Sequence, residues 1–215
     1  MEVLVPIAGA SGSLPGVLEH ADDPAGLVIF AHGSGSSRMS PRNRAVAAAL
    51  RGAGMSTLLF DLLTEAEAGD RANVFDISLL GRRITGAVDW AGARPDCASL
   101  PVGLFGASTG AAAALVAAAE RPGAVAAVVS RGGRPDLAGA RLRDVRCPTL
   151  LIVGGADQTV LELNRTALDA LHCRKALEII PGATHLFEEP GALDAVVGLA
   201  ARWFRACFAA GGAPA

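Results

Sequence analysis

The residues most able to do chemistry in this chain of 215 residues are a glycine-flanked serine, four scattered histidines and several aspartates. The serine stands in Gly106-Ala107-Ser108-Thr109-Gly110, between an apolar run and an alanine-rich run. Gly-x-Ser-x-Gly at a strand-to-helix turn is a nucleophile elbow, a tight turn that exposes the serine hydroxyl above the sheet. The alternative is a glycine-rich turn that merely packs a helix on the sheet. We predict that Ser108 is a catalytic nucleophile.

A serine nucleophile needs a general base of near-neutral pKa, and histidine is the usual one. His185 lies in a loop between the last predicted strand and the last predicted helix. His20 follows an edge strand and is expected to lie far from the elbow. His172 ends a helix that returns to the opposite edge of the sheet, so it is expected on the wrong side. His32 belongs to a His-Gly-x-Gly motif, where a loop-bracing role is favoured. His185 is therefore the predicted base.

The base needs an acid that holds its tautomer and stabilises the imidazolium. Asp157 follows the predicted strand 148–153 through a glycine-rich turn, which gives the chain order nucleophile, acid, base. Asp136, after the preceding strand, is the alternative acid. We expect Ser108, Asp157 and His185 to converge as a catalytic triad.

Acyl transfer also needs two N–H groups aimed at the oxygen of the tetrahedral intermediate. The backbone of Thr109, directly after the nucleophile, can supply one of them. The second is expected from the loop that carries His32, where glycines let the backbone turn its N–H groups inward. In that loop Ser34 is the preferred donor and Gly33 the second choice.

The elements that must position these residues follow an alternating pattern. Short β-rich runs alternate with alanine-rich stretches, which predicts a mainly parallel sheet of about eight strands with helices on both faces. Ligands bind such sheets at the carboxyl ends of the strands, where the predicted triad and the oxyanion loop lie. The first two strands are expected to form an antiparallel hairpin at the sheet edge. Strands are predicted at 2–7, 14–19, 27–32, 56–60, 102–105, 124–130, 148–153 and 175–180. Helices are predicted from 41 to either 52 or 54, and at 76–92, 109–120, 160–171 and 191–208.

The composition, 51% hydrophobic and 19% charged, indicates one globular domain over residues 1–208 with a flexible tail at 209–215. A net charge of −2 argues against nucleic acid or an anionic membrane surface as the main partner. The expected partner is a small-molecule substrate, and the protein is expected to be a monomer or homodimer. The four cysteines are scattered without histidines at ligand spacing, so no metal is expected. With neither a signal peptide nor a membrane-length apolar run, we expect a soluble, cytoplasmic protein.

On these motifs the sequence resembles the α/β-hydrolase superfamily, and within it the dienelactone-hydrolase-like group of small enzymes. The matching pieces, spread over residues 27–187, are His32-Gly33-Ser34-Gly35-Ser36-Ser37, Leu59-Phe60-Asp61, Gly106-Ala107-Ser108-Thr109-Gly110, Gly154-Gly155-Ala156-Asp157 and Gly182-Ala183-Thr184-His185. The resemblance implies an α/β-hydrolase fold and a broad hydrolase without metal or cofactor. Dienelactone hydrolases carry cysteine in the elbow, where this chain has Ser108.

The function expected is cleavage of a carboxylic ester, lactone or thioester through an acyl-enzyme on Ser108. Two alternatives remain open: a non-catalytic binding protein of the same fold, and an acyltransferase that uses the same triad. Only residues 131–147 separate the sixth and seventh predicted strands, where caps are usually inserted, so no large lid is expected. The segment 61–75 is expected to be a solvated acidic loop.

Three arginines are predicted to bind an anionic substrate. Arg131 and Arg134 follow the sixth strand, and Arg38 lies close behind the oxyanion loop. Guanidinium groups bind carboxylate or phosphate bidentately, and dienelactone-hydrolase-like enzymes are similar in holding an acidic substrate with arginines. The alternative is that the first two only brace their loop by pairing with an acidic residue, namely Asp136, Asp144 or Glu65.

Overall fold

The computed structural model describes residues 1–9 and 12–211, and an eight-stranded sheet lies at its centre. The strands are β1 (Glu2–Pro6), β2 (Ser13–Glu19), β3 (Leu27–Ala31), β4 (Ser56–Phe60), β5 (Val102–Ala107), β6 (Val125–Arg131), β7 (Thr149–Gly154) and β8 (Lys175–Ile180). Their order across the sheet is β1-β2-β4-β3-β5-β6-β7-β8. The predicted number of strands is confirmed.

Six of the strands, β3 to β8, run parallel to one another, whereas β2 runs antiparallel to both β1 and β4. The predicted edge hairpin of β1 and β2 is therefore confirmed, although residues 10 and 11 of its turn lie outside the described part of the chain. The central strands are continuous apolar runs because both of their faces are covered. In β3, Leu27 and Ile29 pack on one face while Val28 and Phe30 pack on the other.

Helices cover both faces of the sheet. They are α1 (Pro41–Gly52), α2 (Glu65–Ala68), α3 (Arg71–Phe75), α4 (Ile77–Gly92), α5 (Thr109–Glu120), α6 (Gln158–Ala170) and α7 (Ala192–Gly211), with a 3₁₀ segment over Pro135–Asp144. The core on one face includes side chains of α4 and α5, and the core on the other includes those of α1 and α7. No described helix is both long and apolar enough to cross a bilayer.

The segment 61–75 is largely exposed, as predicted, but the prediction of a loop was wrong, because the segment forms α2 and α3. A capping box begins α2: the Thr64 hydroxyl accepts a hydrogen bond from the Glu67 N–H, and the Glu67 carboxylate accepts one from the Thr64 N–H. Glu67 also forms an ion pair of 2.6 Å with Arg83 on α4. The segment therefore has its own local structure beside the candidate site.

The last helix is longer than predicted, since α7 runs to Gly211 and includes residues 209–211 of the expected tail. Cys207 and Phe208 are buried and anchor this final turn, and the two alanines that follow are strong helix formers. Residues 212–215 lie outside the described residues.

Candidate active site

Ser108 occupies a strained turn between β5 and α5. Its φ of 51° and ψ of −125° lie where a residue with a side chain is rarely found, and such strain is typical of functional sites. A Cβ on Gly106 would lie 2.4 Å from the Cα of Ala111, and one on Gly110 would lie 2.2 Å from the Ala31 carbonyl oxygen. Glycine is required at both positions, so the geometry is that of a nucleophile elbow.

The loop after β6 holds this elbow in place. The Ser108 N–H donates to the Arg131 carbonyl at 3.4 Å, and the Arg134 N–H donates to the Ser108 carbonyl at 3.0 Å. The Gly133 carbonyl in turn accepts a 2.9 Å hydrogen bond from the amide of Asn164, which is fully buried on α6. Asn164 was not predicted from the sequence, although an asparagine on the otherwise apolar buried face of α6 was a usable signal.

The predicted acid and base lie in direct contact. His185 Nδ1 is 2.7 Å from Asp157 Oδ2. Asp157 stands at the N-cap of α6, yet its side chain makes no capping hydrogen bond and faces the imidazole instead. An ionised carboxylate can only accept, so in a neutral imidazole this contact selects the tautomer with the proton on Nδ1, whose Nε2 has a free lone pair. The pair therefore has the arrangement of an oriented general base.

The nucleophile lies across a loop from this pair. Residues 131–134 hydrogen-bond to the backbone of Ser108, and a Cβ on Gly132 would lie 3.0 Å from the carbonyl oxygen of His185. Within the described chain, no hydrogen bond joins Ser108 to His185. Catalytic hydrogen bonds are often long before substrate binds and shorten in the reacting complex. The structure thus joins acid to base, and the loop of residues 131–134 contacts both the serine backbone and His185.

The alternative acid and bases are placed elsewhere. Both carboxylate oxygens of Asp136 bind the Arg134 guanidinium, at 2.9 and 2.8 Å. His20 lies 3.4 Å from the hydroxyl of Ser56, the first residue of β4, and is therefore at the amino ends of the parallel strands. His172 precedes β8 at that same end of the sheet. None of these three contacts the elbow.

His32 braces the oxyanion loop, as its motif indicated. Its Nε2 accepts the Leu62 N–H at 3.1 Å, so the proton is on Nδ1, which lies 3.0 Å from the Gly33 carbonyl oxygen. Burial lowers the pKa of His32, and it outweighs the opposing effects of the Gly33 carbonyl and Asp61. The neutral ring therefore links the loop after β3 to the loop after β4.

The predicted oxyanion donors are close to the nucleophile, with one unexpected contact. A Cβ on Gly33 would come within 2.9 Å of the Ser108 Cβ, so this loop lies against the elbow. The Ser34 N–H, however, donates to the Thr109 side-chain hydroxyl at 2.9 Å. Thr109 is the first residue of α5, so its N–H has no partner inside the helix. The Ser34 N–H is thus hydrogen-bonded to the Thr109 side chain, a contact that was not predicted from the sequence.

Two of the three predicted substrate-binding arginines are paired with acids. The Arg38 guanidinium binds Asp61, whose carboxylate also accepts the Arg38 N–H at 2.7 Å. Arg134 is held bidentately by Asp136, one of the acids named in the bracing alternative. Both cations are therefore neutralised by carboxylates of the protein.

Arg131 has a different environment. Only 6% of the residue is exposed, and its Nη2 donates to the Asn43 amide oxygen at 3.1 Å. The guanidinium lies 5.8 Å from the ring centroid of Phe187, two residues beyond His185. Burial, together with repulsion from Arg42, lowers the pKa of Arg131 to about 10, so it stays charged at neutral pH. Within the described residues it has no carboxylate partner.

An open cleft of about 390 Å³ runs from the oxyanion loop to α2 and α3. Gly33 and Ser34 form part of its wall, and the Arg38–Asp61 ion pair supplies charge within it. Its apolar lining includes Leu62, Leu63, Val74 and Leu80. The cleft has room for an apolar substrate group beside the oxyanion loop.

One group of side chains has the composition of a metal site. His20, Asp96 and Cys97 place their ligand atoms within 4.8 Å of one another, at the end of the sheet opposite the elbow. Arg94 already binds both Asp96 oxygens, at 2.9 and 2.6 Å, so a cation would have to displace a guanidinium. This cluster has no connection to the triad residues.

The mostly parallel eight-stranded sheet, with a serine elbow after β5 and an acid–base pair after β7 and β8, defines an α/β-hydrolase fold. A dienelactone hydrolase structure from Anabaena variabilis is 56% identical, with a TM-score of 0.91 over 95% of each chain. Residues 28–205 match the model of the dienelactone hydrolase family. The chain belongs to this family.

Two kinds of curated relatives were also found. Two proteins from Mycobacterium tuberculosis strains, provisionally named phosphoribosyl transferases, are each 60% identical over 200 residues, or 93% of this chain. The chain spans only 44% of their length. Human monoglyceride lipase is 30% identical over 175 residues, which are 74% of this chain and 56% of the lipase.

Proposed function

We propose that the chain is a serine hydrolase that cleaves a carboxylic ester, lactone or thioester of a small molecule. The observation that carries this proposal is the 2.7 Å contact between His185 and Asp157 beside the strained Ser108 elbow. A histidine held in this tautomer can activate a neighbouring hydroxyl, which is too weak a nucleophile by itself. Membership of the dienelactone hydrolase family supports hydrolytic chemistry.

The proposed reaction has two halves. Ser108 Oγ attacks the carbonyl carbon while His185 Nε2 takes its proton, and Asp157 stabilises the imidazolium. The tetrahedral intermediate collapses as the imidazolium protonates the leaving group, which departs as an alcohol or thiol. Water then attacks the acyl-enzyme, His185 accepts the water proton and returns it to Ser108, and the carboxylic acid is released.

The names of the relatives bear on this proposal unequally. The Anabaena structure covers nearly the same length as this chain and is named a hydrolase. The proteins named as phosphoribosyl transferases extend well beyond the matched region. We therefore assign hydrolysis to the matched region, and we do not transfer phosphoribosyl chemistry to it.

The direct test is covalent labelling with a fluorophosphonate probe, which reacts with activated serines. We expect stoichiometric labelling of the protein, none of Ser108→Ala, and normal labelling of Ser99→Ala, a control at an exposed serine. Turnover of a panel of p-nitrophenyl esters, lactones and thioesters then identifies the bond that is cleaved. A chain that neither labels nor turns over any of them would be a binding protein of this fold, and the proposal would be wrong.

The proposal extends to substrate charge through Arg131. A buried guanidinium without a carboxylate partner is costly, and an anion that reaches it recovers part of that cost. Arg131 follows β6 in the loop that clamps the elbow, and Phe187 above it belongs to the loop of His185. We therefore propose that substrates with a carboxylate or phosphate are preferred over neutral ones.

Arg131→Ala and the volume-retaining Arg131→Met are expected to raise KM for an ester carrying a free carboxylate by about 10- to 100-fold, since one charged hydrogen bond contributes about 1.5–3 kcal/mol. KM for a neutral p-nitrophenyl ester of equal size should hardly change. The measurement is steady-state kinetics on the matched ester pair, with exposed Arg44→Ala as control. Equal losses on both esters would mean that Arg131 supports the loop and does not bind the anion.

A further inference from the structure

The side chain of Thr109 joins the two loops from which the oxyanion donors are expected. Its hydroxyl accepts the Ser34 N–H at 2.9 Å, across 75 positions of the chain. The Ser34 N–H, which was predicted to be an oxyanion donor, therefore already donates to an oxygen of the protein. From the sequence, only the backbone N–H of Thr109 was expected to bind the oxyanion, and its side chain had no predicted role.

The hydroxyl proton of Thr109 is left without a partner. A hydroxyl has one O–H donor besides its acceptor lone pairs, and the Ser34 N–H occupies an acceptor position. Within the described chain, the Thr109 hydroxyl donates to no acceptor. Only 6% of the residue is exposed. Since buried polar groups are costly when unpaired, this proton points to an acceptor that the substrate supplies.

The position of Thr109 suits an anionic oxygen. As the first residue of α5, directly after Ser108, it stands at the positive end of the helix dipole. Its N–H and its hydroxyl are carried by adjacent carbon atoms, so both can point at a single oxygen. The bond from Ser34 fixes the hydroxyl oxygen and leaves the proton free to turn toward the reacting carbonyl.

We infer that the Thr109 hydroxyl donates a hydrogen bond to the oxyanion of the tetrahedral intermediate, together with the N–H of the same residue. In this arrangement the Ser34 N–H positions the Thr109 hydroxyl and does not bind the oxyanion directly. No covalent bond to Thr109 forms or breaks. The inference rests on the proposed function, because it requires an acyl reaction at Ser108.

The test compares Thr109→Val, which keeps the shape and removes the hydroxyl, with Thr109→Ser, which keeps the hydroxyl. For p-nitrophenyl acetate, Thr109→Val is expected to lower kcat by about 100-fold or more with KM changed less than about threefold, as for loss of one oxyanion donor. Thr109→Ser should stay within about fivefold of the parent kcat. Binding of a trifluoromethyl ketone, which forms a tetrahedral oxyanion, should weaken in parallel with kcat.

Thr85→Val is the matched control, since Thr85 is also buried, at 7% exposure, and its hydroxyl donates to Glu120 away from the elbow. Melting temperatures of all variants, with Thr109→Ala as a smaller replacement, separate misfolding from lost catalysis. An unchanged or faster Thr109→Val would overturn the inference, because the hydroxyl would then merely cover the Ser34 amide. Equal losses in Thr109→Val and Thr109→Ser would also overturn it. Absence of fluorophosphonate labelling in the parent protein would instead contradict the proposed function.

Discussion

Ser108→Ala and His185→Ala are each expected to lower kcat by about a millionfold, and the double variant should be hardly slower than either one. Serine and histidine act as a unit: without the hydroxyl the base has nothing to activate, and without the base the hydroxyl is a poor nucleophile. The residual rate would come from the oxyanion donors and substrate binding alone. The measurement is kcat and KM of the three variants on one ester.

The same series checks the choice of base. His32→Gln removes the histidine that bridges Gly33 and Leu62 and is the comparison for a histidine with a bracing role. Melting temperatures of each variant show whether the chain still folds. Substantial turnover by His185→Ala, or losses that simply multiply in the double variant, would contradict a Ser108–His185 unit.

Asp157→Asn is expected to lower kcat by about ten-thousandfold while the fold stays intact. The amide is nearly the size of the carboxylate, and the Asp157 side chain makes no capping hydrogen bond that could be lost, so α6 should begin normally. An amide N–H facing the ring, however, favours the tautomer with the proton on Nε2, which then cannot accept the Ser108 proton. Loss of the negative charge also removes the stabilisation of the imidazolium.

Asp136→Asn is the matched comparison, because it makes the same chemical change at the alternative acid. It should weaken the contact with Arg134 and leave turnover within about threefold of the parent, as for loss of a partly exposed ion pair. The decisive measurement is kcat for the two variants on the same ester. Near-normal turnover in Asp157→Asn together with a collapse in Asp136→Asn would transfer the acid role to Asp136.

Much of the fold follows from local patterns. The strands of this sheet are short apolar runs bounded by glycine, proline and polar residues, and those signals act within a few residues of the chain. The two segments whose secondary structure was predicted incorrectly also have local causes. Thr64 and Glu67 form a capping box that creates α2 inside an acidic segment, and buried Phe208 carries α7 into the expected tail.

By itself, the sequence determined the sheet, the elbow motif and the loops in which the candidate residues lie, because the alternation of strands and helices assigns each loop to one end of the sheet. Only the tertiary structure decided which partner each polar side chain finds. Thr109 binds Ser34 and Arg131 binds Asn43 across 75 and 88 positions of the chain, while Arg134 takes a neighbouring acid. Hydrogen bonds depend on tenths of an ångström and on angles between elements, and periodicity along one element carries no information about either.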